Sequence, residues 1–124
     1  MAFTDPQTIT VNAVAKDLVK INQDGYSSEY LLRSTDGEFR LKIRNSTYRD
    51  KARNVLIDRH NVEFTETVFP VAPATLSTVR KTYFVIENQQ GDTLADVRYD
   101  AAALFAWATA SSGANITKML NSES

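Results

Sequence analysis

Residues 38–44 read Glu-Phe-Arg-Leu-Lys-Ile-Arg and alternate apolar and charged side chains without a slip. Successive side chains on a β-strand point to opposite faces of the sheet. Phe39, Leu41 and Ile43 therefore make one oily face, and Arg40, Lys42 and Arg44 make one cationic face. Three like charges spaced two apart repel one another, which a fold tolerates best where a polyanion lies across them. The rest of the chain must cover the oily face and supply, or meet, a partner for the basic one.

The flanking sequence is read as more strands, then helices. Residues 8–11 and 14–21 form an N-terminal hairpin turned at Asn12-Ala13. Gln23-Asp24-Gly25 is a turn, and residues 28–34 are a third strand. Thr35-Asp36-Gly37 closes a hairpin onto the alternating strand, which runs to about residue 47. Residues 53–64 supply the next strand, although Val55-Leu56-Ile57 leaves its facing open. Two prolines bar residues 67–77 from a central strand, and the apolar Phe69, Pro70, Val71 and Pro73 there suit contact with another chain. Residues 78–87 are the last strand, with Thr82, Phe84 and Ile86 on one face and Lys81, Tyr83, Val85 and Glu87 on the other. A helix starts at Asp92 or Thr93, with Asp96 at capping-box spacing from Thr93. Its apolar stripe includes Leu94, Val97, Ala101, Leu104 and Ala108, widened by Phe105 and Trp107. Ser111-Ser112-Gly113 stops it, and residues 115–121 make a short second helix.

The expectation is thus one α+β domain over residues 1–124: a hairpin at about 8–21, a sheet at about 28–87 and helices at about 93–121. The sheet is antiparallel, since strands and helices are segregated along the chain. One helix and a short second one are thin cover for such a sheet. A monomer with both helices on its own sheet and a dimer that shares them are both open at this point; a large obligate interface resembles a core cut in half.

Composition removes several function classes. The chain has no cysteine, which excludes disulfides, thiolate chemistry and cysteine-ligated metals. It has no apolar run of bilayer-spanning length, and its start lacks the basic and apolar regions of a signal peptide. A cytoplasmic setting, or a particle assembled there, is expected. His60 is the only histidine and has no recognisable nucleophile to activate. No metal-ligand cluster or glycine-rich phosphate loop is present, so no cofactor, no metal and no small-molecule substrate is expected, and catalysis ranks below binding or assembly.

The net charge of −1 argues against a simply basic nucleic-acid binder, but the distribution is uneven. Residues 33–59 hold Arg33, Arg40, Lys42, Arg44, Arg49, Lys51, Arg53 and Arg59 against Asp36, Glu38, Asp50 and Asp58. From residue 87 onward acidic residues prevail. Arg40, Lys42, Arg44, Arg53 and Lys81 offer charge to phosphates, and Tyr83 a flat ring on which an unpaired base stacks. These six are the expected RNA-binding residues; an ordinary solvated sheet face carries the same residue types.

The opening, Met-Ala-Phe-Thr-Asp-Pro-Gln-Thr-Ile-Thr-Val-Asn-Ala-Val-Ala-Lys, and Ala-Trp-Ala-Thr-Ala-Ser-Ser at residues 106–112 resemble coat proteins of the small single-stranded RNA bacteriophages, the leviviruses. The order of elements and the length resemble them too, across essentially the whole chain. The resemblance implies an N-terminal β-hairpin, a five-stranded antiparallel sheet and two C-terminal α-helices, interlocked as a homodimer. Phe84, Ile86, Leu94, Val97, Leu104 and Trp107 would then form the dimer interface, with the last strands meeting edge to edge. The proline loop would gather at the symmetry axes of a T=3 icosahedral shell, held without disulfides. The basic face would line the interior, package genomic RNA and bind an operator stem-loop, with Tyr83 the match for the family's base-stacking tyrosine. The protein would belong to a virion assembled in the cytoplasm of a bacterial host. The alternative from the residues alone is a small dimeric α+β ligand-binding module or enzyme, which predicts a pocket with convergent polar groups and no bound nucleic acid.

Overall fold

A computed structural model describes residues 2–124. The chain divides into two compact units, residues 1–87 and 88–124. Six strands follow one another: β1 (Gln7–Val11), β2 (Val14–Gln23), β3 (Ser27–Arg33), β4 (Gly37–Asp50), β5 (Val55–Val68) and β6 (Thr78–Gln89). They form a single sheet in sequence order, a meander in which each hairpin adds the next strand at the edge. Short turns require this order, because two antiparallel strands need only a few residues between them.

The expected five-stranded sheet is corrected to six strands. The N-terminal hairpin is not a separate appendage: β2 pairs with β1 through Leu18–Gln7 and with β3 through Val19–Leu31. A register shift between Lys20 and Asn22 accommodates the second pairing. The two longest strands, β4 and β5, pair without a break from Gly37–Val68 to Asp50–Val55. Both run well beyond the end of β3, whose pairing with β4 begins at Ser27–Arg44.

This register decides the faces. On one side, Leu18, Tyr30, Leu41 and Ile43 form the buried cluster, with Ile9, Leu32, Phe39, Val62 and Phe64 packed against it. Phe39 and Phe64 stack at 5.8 Å between centroids. Lys16 lies over Phe39 and Lys20 over Tyr30, so their long stems close the edge of the cluster while their charges stay in reach of water. The oily face read from the sequence is therefore the core face of the sheet. Gly37 opens β4 where a Cβ would lie 2.3 Å from the Thr67 carbonyl oxygen, a separation only glycine permits.

The second unit is one helical element, α1 (Leu94–Leu120). It comprises two helical stretches joined across a kink at the expected Ser111-Ser112-Gly113 stop. Ala110 leaves helical geometry and Ser111, Ser112 and Gly113 take left-handed φ values of 54°, 57° and 83°. The Ser-Ser-Gly signal thus breaks the helix, but helical geometry resumes at once, and the Asn115 side chain spans the break by donating to the Trp107 carbonyl at 2.9 Å. Thr93 is the N-cap residue, yet its hydroxyl makes no capping bond. The Asp92 carboxylate instead accepts from the Thr93 N–H at 2.8 Å. The hydroxyl half of the expected capping box is absent.

Candidate nucleic-acid interface

Opposite the core face, β4 presents Arg40, Lys42 and Arg44, as its alternation requires. The sequence could not show what stands beside them. Across the ladders, Lys42 faces Glu29 on β3 and Glu63 on β5, while Arg44 faces Ser27 and Asn61. The Arg40 guanidinium is ion-paired with Glu29 and lies 3.7 Å from Glu38. Arg33 donates to Glu38 at 2.8 Å, and Arg44 stands 3.9 Å from Glu63. The expectation of a strongly cationic face is therefore corrected: carboxylates from three strands interleave with the cations. The Arg33 hydrogen bond, chiefly, holds the Glu38 carboxyl below the usual range, and its bond to Glu29 raises Arg40 above its ordinary value. Arg33, Arg40, Glu29 and Glu38 thus form a self-satisfied network.

The cations available to a ligand are the others. Lys42 makes no ion pair among the described residues, and the Arg44 side chain is 53% exposed at the long end of ion-pair range. On β6, Lys81 and the 62%-exposed Tyr83 share the face of Glu87 by strand alternation. Glu87 meets two residues of this same face, Arg59 of β5 at 3.5 Å and the Tyr48 hydroxyl of β4 at 3.0 Å. Those contacts settle the facing of residues 55–59 that the sequence left open: Val55, Ile57 and Arg59 lie on the side of Arg44. Of the six residues expected to bind RNA, five therefore share one face. Arg53 does not. It sits in the β4–β5 turn, outside any strand, and binds Asp50 at 3.0 Å.

One end of this face is concave. Asp24, Gly25, Tyr26, Ser27, Arg44, Asn45, Ser46, Arg59 and Asn61 line a groove of about 730 Å³. It arises where β4 and β5 run past the end of β3, so that the β2–β3 turn forms one wall. Asp24 shapes that wall. Its Oδ1 accepts from the N–H groups of Tyr26 and Ser27, both at 2.8 Å, and its Oδ2 from the Ser27 hydroxyl. These bonds hold the Asp24 carboxyl below its ordinary value. Tyr26 is 76% exposed. At the floor, Asn61 Oδ1 is buried with no hydrogen-bond partner, an acceptor whose desolvation goes uncompensated. Tyr26 and Asn61 escaped the sequence reading, and Arg59 was counted only among the basic residues of 33–59. The Gln23-Asp24-Gly25 turn signal was visible locally; the groove needs three segments brought together from residues 24 to 61.

The proline loop, residues 69–77, joins β5 to β6. The Phe69 N–H donates to the Asp36 carbonyl at 2.9 Å, tying the loop's start to the β3–β4 turn. Beyond that anchor Val71 and Leu76 are 80% and 83% exposed. On α1, Leu94, Leu104 and Trp107 are exposed, and on β6 Phe84 is 36% exposed.

A continuous antiparallel meander thus carries a charge-laddered face and an exposed apolar loop. A family model described as the coat protein of phage phiCb5 matches residues 4–89, which is the sheet and the loop. The chain belongs to this coat-protein family, and is a structural component of a phage virion that assembles from copies of itself. Among solved structures it is similar to the virus-like particle of bacteriophage ESE001, with 16% identity over 75% of this chain and 84% of that one, at a TM-score of 0.46. No curated protein matches.

Proposed function

We propose that this coat protein dimerises, assembles into a closed shell and binds single-stranded RNA on the sheet face opposite its core. The groove at the β2–β3 turn carries the proposal. It brings together two arginines, Arg44 and Arg59, and Tyr83 of β6 is 62% exposed on the same sheet face. Guanidinium groups attract phosphates irrespective of sequence, and an aromatic face stacks an unpaired base. Lys42, Lys81 and Tyr83 extend the surface along the sheet. Arg40 contributes less directly, because Glu29 and Glu38 already engage it, and Arg53 contributes at the hairpin tip. A folded stem-loop with unpaired bases suits such a face better than a uniform duplex.

The apolar Leu94, Leu104, Trp107 and Phe84, exposed on α1 and β6, with the half-buried Val97 and Ile86, are the proposed dimer contacts. Phe69, Pro70, Val71 and Pro73 are the proposed contacts between dimers in the shell. Assembly takes place in the host cytoplasm, where the RNA is available.

Expression of the chain alone followed by electron microscopy and ultraviolet spectra of the purified material tests this reading. Shells with a nucleic-acid-rich spectrum are expected, and Arg44→Glu lowers their RNA content while dimers persist. Small soluble species without nucleic acid under all conditions would refute it.

A further inference from the structure

We propose that Tyr48 is a base-stacking platform of the RNA-binding face, its ring laid across β5 with one side open to an unpaired base; this rests on the RNA-binding reading above. Three observations carry it. The first is the face. The unbroken β4–β5 register puts Tyr48 on the side of Arg44 and Ser46, directly opposite Ile57, with Arg59 opposite Ser46. The two arginines of the groove are therefore its neighbours on this face, and the core cluster lies on the other. The second is reach. The Tyr48 hydroxyl donates to Glu87 Oε2 at 3.0 Å, and β5 stands between β4 and β6 in the sheet. Adjacent strands are about 4.8 Å apart, so this bond links strands separated by about 9.6 Å. A tyrosine standing upright on β4 cannot reach that far; the ring has to lean over β5. The third is burial. Ile57 is only 3% exposed although it lies on this outer face, whereas Tyr48 is 43% exposed. A ring lying over Ile57 accounts for both, with one side packed on the isoleucine and the other left to solvent.

Such a ring is prepared for stacking. Its underside is supported and its far end is held by a hydrogen bond, so it gives up little conformational freedom when a base settles on it. The bond to Glu87 also raises the phenol above its ordinary pKa, so the hydroxyl keeps its proton and remains a donor. Glu87 makes the platform selective for bases over phosphates. Its carboxylate repels a phosphate placed on the ring, while Arg59, 3.5 Å from its other oxygen, and Arg44 draw the nucleic-acid backbone towards the groove.

The full-length protein is titrated with a short fluorescent single-stranded RNA and, separately, with inorganic polyphosphate, which has the charge but no bases. Tyr48→Leu keeps an apolar cover on Ile57 and removes the aromatic face. It is expected to weaken RNA binding at least about fivefold and to leave polyphosphate binding unchanged. The slope of RNA affinity against salt stays the same, because no cation is lost. Tyr48→Phe, which keeps the ring but not its bond to Glu87, is expected to lose only about two- to threefold. An RNA probe carrying iodouracil, irradiated on the wild-type protein, is expected to crosslink within the tryptic peptide of residues 45–49, whose one aromatic residue is Tyr48. That measurement does not depend on any variant folding. Wild-type RNA affinity in Tyr48→Leu, an equal loss of polyphosphate binding, or no crosslink in that peptide would overturn the platform while Arg44→Glu still loses RNA. Failure of the wild-type protein to bind the RNA probe would instead overturn the RNA-binding reading and the inference with it.

Discussion

Replacing Glu63 by glutamine should strengthen RNA binding, although it breaks an ion pair. Glu63 stands opposite Lys42 in the β4–β5 ladder, and its Oε1 is 3.9 Å from the Arg44 guanidinium. Only 16% of the Glu63 side chain is exposed against 53% for Arg44, so a phosphate approaches the arginine from the solvent side. At such a position it would lie about 6–7 Å from the carboxylate, where two unit charges repel by about 0.6 kcal/mol in bulk water and by about four times that at an effective dielectric of 20. The ion pair that is lost returns little, since exposed pairs contribute about 0.2–1 kcal/mol. Using the bulk-water figure as the lower bound, Glu63→Gln raises affinity about threefold at low salt. The gain shrinks towards 0.15 M salt, where the screening length is about 8 Å. Fluorescence anisotropy with a labelled single-stranded RNA, repeated across a salt series, measures both. Unchanged or weaker binding at every salt concentration would show that phosphates do not approach Arg44, and the assignment of this face to RNA would fall.

Tyr30→Phe is expected to stabilise the fold by about 1 kcal/mol in urea unfolding, because the fully buried Tyr30 hydroxyl has no partner and an unsatisfied buried group costs about 1–3 kcal/mol; a loss of stability would mean that the hydroxyl is bonded. Gly37→Ala should cost more than about 2 kcal/mol or shift the β4–β5 pairing, since its Cβ would meet the Thr67 carbonyl oxygen at 2.3 Å; near-wild-type stability would contradict that close approach. Glu38 has a folded-state pKa below its ordinary 4.5, so its contribution is fully present above that value and is lost as pH falls through the depressed one. Glu38→Gln should therefore flatten the acid limb of a stability–pH curve, and an unaltered limb would argue against the Arg33–Glu38 bond. Ser112→Gly should stabilise the chain by about 0.5–1 kcal/mol by relieving a left-handed conformation, measured by thermal unfolding, and destabilisation would place the hydroxyl in a bond worth more than the strain.

The strands were legible because their signals are local. Alternation over residues 38–44 sets which side chain faces which way regardless of what lies beside the strand, and Asp36-Gly37 marks the turn before it. The helix stop at Ser111-Ser112-Gly113 was legible for the same reason, since left-handed backbone is a property of those residues and their immediate neighbours. The strand count was misassigned because the hairpin's second strand carries no mark of its other edge. Its pairing with β3 is a choice between distant segments, made by Leu18 and Tyr30 entering one core.

What the sequence by itself determined is the sign of each side chain and the face it takes: oily Phe39, Leu41 and Ile43 inward, Arg40, Lys42 and Arg44 outward. Only the tertiary structure decided what those charges meet. Glu29 and Glu63 come opposite Lys42 through ladders set by whole-strand register, so a strand that reads as purely cationic sits in a face of mixed sign. The groove of Tyr26, Arg44, Arg59 and Asn61 exists for the same reason. Pairing at a distance, which no local pattern encodes, carries β4 and β5 past the end of β3 and leaves a turn, two arginines and an unpaired acceptor around one space.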